Sequence, residues 1–120
     1  MIPAPWTIKP GLSPIFTRAW QDGPTWVYRA GRGKWALTTP RDIRLVRGPD
    51  LAFREAMAPL LHRAQIMVEL YQSRLGLAKK WHQPRARGQA IRRLREAQTT
   101  LSTLKFEARA LEAWVKEGMP

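Results

Sequence analysis

The spacing of hydrophobic and polar positions changes character once along the chain, near Gly48-Pro49. Before that point, apolar residues come in short runs. Residues 15–20, 25–30, 34–38 and 43–47 are rich in β-branched and aromatic side chains, with Gln21-Asp22-Gly23-Pro24 and Gly31-Arg32-Gly33 between them as turns. Alternation puts Trp26 and Tyr28 on one face of their run and Val27 and Arg29 on the other, and Trp35 shares a face with Leu37. The pattern predicts a basic antiparallel β-meander of three or four strands over residues 15–48. A sheet that small needs something to pack against. Residues 1–14, with four prolines, read as an extended Pro-rich arm.

After Gly48-Pro49 the period becomes helical. Leu94, Ala97, Leu101, Leu104, Ala108, Leu111 and Val115 follow one another at alternating steps of three and four, which is a heptad seam. Upstream, Phe53, Met57, Leu60, Ala64, Met67 and Tyr71 form a second seam. Two seams with a short break between them predict an antiparallel, coiled-coil-like helical hairpin over residues 49–120. The register pairs Tyr71 with Leu94, Ala64 with Leu101 and Met57 with Ala108, each pair centred between residues 82 and 83. Pro84 is a suitable first residue for the second helix. Pro59 is expected to kink or split the first helix, and Gly76 to end it early. The predicted class is therefore α+β. Heptads alone do not separate one chain folding back from two chains pairing, so a homo-oligomer through the seam stays open.

Composition adds a direction. The chain of 120 residues is 44% apolar, enough for one modest core, and carries 21 Lys and Arg against 9 Asp and Glu, for a net charge of +12. A sequence pI near 11.4 points to a polyanionic partner. The charge is segregated. Arg74, Lys79, Lys80, Arg85, Arg87, Arg92, Arg93 and Arg95 occupy residues 74–95 without a single acid, while the rest of the hairpin is nearly neutral. Solvated helical faces ordinarily mix both signs, so this run is expected to meet a partner at a basic tip near 79–88. Trp81 and His82 lie at the apex, where flat rings among cations suit bases and phosphates. Arg29, Arg32 and Lys34 surround the Gly31-Arg32-Gly33 turn as a second, weaker basic site. Lys9, Arg18, Arg41, Arg44 and Arg47 add to the charge of the strand region, opposed by Asp22 and Asp42. Trp6, Trp20, Trp26, Trp35 and Trp114 are expected mostly in the core.

The same residues argue against other classes. With no cysteine, thiolate nucleophiles and thiolate metal sites are excluded. His62 and His82 stand alone, the acids are scattered, and no phosphate-binding glycine loop or zinc-protease motif appears. Neither an enzyme nor a cofactor or metal is expected. The first residues, Met1-Ile2-Pro3-Ala4-Pro5-Trp6, lack the cationic start and apolar run of a secretory signal, and no apolar stretch is long enough to span a bilayer. A cytoplasmic, non-membrane protein is expected. The leading expectation is a nucleic-acid-binding module, for RNA or DNA, acting by phosphate neutralisation. The alternatives are an assembly subunit of a virion or ribonucleoprotein, with protein partners, and a small inhibitor or adaptor whose tip docks on an acidic protein surface.

Overall fold

The computed structural model describes residues 1–119. It is α+β: a five-stranded antiparallel sheet precedes two long helices that pack against each other as a hairpin. The strands are β1 (Thr7–Lys9), β2 (Ile15–Arg18), β3 (Thr25–Gly31), β4 (Lys34–Thr38) and β5 (Ile43–Val46), and they pair in sequence order as a meander. The helices are α1 (Pro49–Lys80) and α2 (Pro84–Lys116). Two compact units emerge, one of Met1–Ala58 with the chain from Glu107 onward, the other of Pro59–Phe106.

In the first unit, register sorts the sheet into two faces. Ile8, Phe16, Val27 and Leu37 lie opposite one another across β1 to β4. Phe16, Val27 and Leu37 are all buried, so this is the inner face. Phe16 sits edge-on to Phe53 of α1 at 5.7 Å and to Trp114 of α2 at 5.3 Å, and stacks on Trp35 at 6.3 Å. Trp6 closes the cluster against Phe53 at 5.1 Å. Each buried aromatic of this kind contributes about 1.5–3 kcal/mol through the apolar area it removes from water. The start of α1 and the end of α2 are thus the packing partner that the small sheet needs.

Three expectations about the sheet are corrected. It has five strands, not three or four. Residues 1–14 are not wholly an extended arm, because Thr7–Lys9 pairs with β2 and Trp6 is buried. Trp26 is not core. It is 39% exposed on the outer face, together with Tyr28, Ile43 and Leu45. Both faces of the meander carry apolar residues, so alternation alone did not show which one meets the helices.

The hairpin closes where the seams place it. α1 ends at Lys80, and the His82 N–H donates to the Lys79 carbonyl while the Gln83 N–H donates to the Ala78 carbonyl at 2.9 Å. His82 takes a φ of 50°, the left-handed value of a Schellman turn. Pro84 then opens α2, with the Gln83 carbonyl accepting from the Arg87 N–H at 2.9 Å. The same motif ends α2, where Gly118 has a φ of 96° and the Met119 N–H reaches the Trp114 carbonyl. Neither Pro59 nor Gly76 ends α1, which runs through both. Pro59 removes one backbone bond, and burial of Met57 and Leu60 beside it outweighs that loss. Among the described residues, no helix is long and apolar enough to cross a membrane.

Candidate nucleic-acid interface

The second unit contains the acid-free run. Arg74, Lys79 and Lys80 come from the last turns of α1, Trp81 and His82 from the connecting turn, and Arg85, Arg87, Arg92, Arg93 and Arg95 from the first turns of α2. The tight turn at residues 81–83 brings these two helix ends together. All ten side chains are exposed. Among the described residues, Arg93 is the one cation of the eight with a carboxylate partner, Glu96, at 3.5 Å on the solvent side. That pair is weak, since exposed ion pairs contribute about 0–1 kcal/mol. Trp81 is 64% exposed, and the Lys80 ammonium lies 5.8 Å from its ring centre. The Arg74 guanidinium lies 5.4 Å from the Tyr71 ring. Eight positive charges with one weak carboxylate pair among them make a surface suited to polyanions. The His82 backbone has a structural part as well, since it supplies the left-handed residue that turns the chain.

Helical geometry distributes the tip charges unevenly. A groove of about 620 Å³ between the helices is lined by Tyr71, Arg74, Leu77 and Ala78 of α1 and by Ala86, Gln89, Ala90 and Arg93 of α2, with Gln83 at the turn. Only Arg74 and Arg93 belong to it. The other six cations project from the remaining faces of the tip. The lining also brings Tyr71 beside Ala90 and Arg93, within one turn of Leu94, the partner that the seam arithmetic assigns to it.

The second basic site belongs to the first unit. Arg29 and Lys34 flank the Arg32-Gly33 turn between β3 and β4, where Gly33 has a φ of 63° and the pairing shifts register between Arg29 and Gly31. Arg29, Arg32 and Lys34 are exposed, and none has a carboxylate partner among the described residues. At the start of β5, Arg44 is partly neutralised by Asp42 at 3.0 Å. The Arg44 hydrogen bond, followed by that of the Thr39 hydroxyl, holds the Asp42 carboxyl below its ordinary value.

Arg18 does not belong to the basic surface. It is buried and forms a two-point ion pair with Glu107, Nε to Oε2 at 2.7 Å and Nη2 to Oε1 at 2.8 Å. The Trp6 indole N–H donates to the same Oε2 at 2.8 Å, and Arg18 Nη1 donates to the Ala19 carbonyl. Two charges are thus satisfied inside the core and taken out of any interface. The signal for it lay in the spacing. Leu104, Glu107, Leu111 and Trp114 also step by three and four, and these are the buried positions of α2 here, in place of Ala108 and Val115. The groove was missed because Leu77, the leucine in its wall, lies beside the seam rather than in it.

No protein-family model, no curated protein and no solved structure matches the chain.

Proposed function

We propose that the protein is a non-enzymatic, cytoplasmic nucleic-acid-binding module that holds phosphates on the basic end of its helical hairpin, with the Arg29–Lys34 turn as a second contact. One observation carries the reading: eight exposed cations stand in residues 74–95 with no acid among them, and seven have no carboxylate partner among the described residues. Cations held this way self-repel, and a partner that brings phosphates relieves the repulsion. Trp81, exposed beside Lys80, adds a ring on which a base of a single strand stacks. Contacts of this kind position a protein on RNA or DNA without reading sequence.

Salt titration tests the reading. Binding to duplex DNA should weaken linearly in log salt, with a slope near −0.9 for each phosphate neutralised. Replacing Arg87, Arg92 and Arg95 with Gln should flatten that slope by about two to three units and weaken all sequences alike. A shallow slope that the triple variant leaves unchanged would remove the reading. It would favour the alternative of an assembly subunit, which draws on the exposed outer face of the sheet at Trp26, Ile43 and Leu45.

A further inference from the structure

The second unit exposes an apolar strip that phosphate binding does not use. Ile66, Leu70 and Leu77 of α1 are all exposed, Leu77 at 56%. At 100° per residue they fall within an arc of about 40°, along one flank of the seam, and they span roughly 16 Å of helix axis. Leu77 also lines the groove, together with the small residues Ala78, Ala86 and Ala90. Small residues between two helices leave holes of the size that leucine knobs fill. Arg74 and Arg93 stand on opposite walls of the groove, one on each helix.

We infer that this strip, with the groove it enters at Leu77, is a docking site for an amphipathic helix of a partner protein whose flanks are acidic. The shape selects a helix. The strip runs along a helix and has no sheet edge to extend, and its length matches about three turns of helix, the spacing of i, i+4, i+7 and i+11 side chains. Charge selects the sign. Arg74 and Arg93 favour carboxylates along the flanks of the incoming helix. A second copy of this chain would bring the same arginines and another net charge of +12 against them. Chemistry disfavours nucleic acid on this strip, because Ile66, Leu70 and Leu77 offer neither a ring to stack on nor a hydrogen bond, and six of the eight tip cations lie outside the adjoining groove. The inference does not depend on the proposed function. If both hold, the hairpin end joins a polyanion on its outer faces to a protein helix in its groove.

The test uses the full chain and a synthetic peptide of about 20 residues, fluorescently labelled, with leucines at i, i+4, i+7 and i+11 and glutamates on both flanks. Two controls share its length: a scrambled sequence with the same net charge, and a version with lysine in place of glutamate. Fluorescence anisotropy should show saturable binding of the amphipathic acidic peptide, at least about tenfold tighter than either control. Leu70→Ser and Leu77→Ser, which remove exposed side chains and should leave the far-ultraviolet circular dichroism unchanged, should each weaken binding roughly tenfold. The Arg87, Arg92 and Arg95 triple Gln variant, which lacks cations outside the groove, should bind the peptide as the parent does. Equal binding of the scrambled peptide, or indifference to both serine variants, would overturn the inference. Loss of single-strand affinity in Leu77→Ser, matched to the loss of peptide affinity, would also overturn it and make the groove a nucleic-acid subsite. So would a dimer in sedimentation that Leu77→Ser dissociates.

Discussion

Arg18 and Glu107 meet through two parallel hydrogen bonds across 89 residues of sequence, with the Glu107 side chain 3% exposed. This pair joins β2 to α2, and the Trp6 indole binds the same carboxylate from the N-terminal segment. A buried charge that loses its partner keeps its desolvation cost. Arg18→Met or Glu107→Leu alone should therefore destabilise by about 3–5 kcal/mol. The double variant should lose less than the sum, since neither charge is then left alone. Urea denaturation of the three variants measures this, and additive losses would show that the two residues act independently.

Trp6 and Trp114 should respond differently to loss of the indole N–H. The Trp6 N–H has a charged acceptor, so Trp6→Phe should cost about 1.5–3 kcal/mol for that hydrogen bond, beyond the lost area. The Trp114 Nε1 is buried with no hydrogen-bond partner among the described residues. Trp114→Phe should recover part of an unmet polar cost of about 1–3 kcal/mol and come out closer to neutral. Thermal unfolding of the two variants gives the comparison.

Tryptophan quenching should follow exposure. Trp81, at 64%, should be quenched most by acrylamide, followed by Trp26, with Trp6 and Trp114 protected. Variants each retaining one tryptophan would establish the order. A protected Trp81 would contradict the structure of the turn.

His82 occupies a left-handed conformation that costs an L-residue roughly 1–2 kcal/mol. His82→Gly should raise stability by about 0.5–1 kcal/mol, and His82→Ile should lower it, because a β-branched residue fits that conformation poorly. Neither change touches the eight cations, so the salt slope of nucleic-acid binding should stay the same.

Leu104→Ala, at a fully buried seam position, should cost about 2–5 kcal/mol. Leu101→Ala should cost less, being only half-buried. Arg92→Ala, exposed and unpaired, should fall within about 0.5 kcal/mol of the parent. Equal losses at all three would contradict the division between packed seam and solvated tip.

The hairpin was legible because its seams repeat over many turns and converge on one apex, which the structure realises at residues 81–83. The longer strands were legible because Gly and Pro punctuate them. The short β1 was not, because Pro3, Pro5 and Pro10 crowd a three-residue strand whose pairing lies with distant residues. Pro59 and Gly76 read as stops because local preference treats them so, whereas tertiary burial on both sides carries α1 through them. For the candidate site, the segregation of charge was visible in residues 74–95. Which cations share a groove and which one enters the core depends on the angle around each helix and the pairing of each strand, and composition contains neither.

β5 is one of the two edges of the sheet, with Ile43 69% and Leu45 63% exposed on its outer face. An unpaired edge of this kind is a template onto which another chain can add a strand. Arg41, Arg44 and Arg47 are spaced along it, so a like edge approaching from a second copy meets its own charge. That repulsion fades when salt shortens its range or when a polyanion neutralises the arginines. The arginines around β5 thus oppose edge-to-edge pairing of two copies, and a polyanion bound along this edge would remove that opposition and favour aggregation.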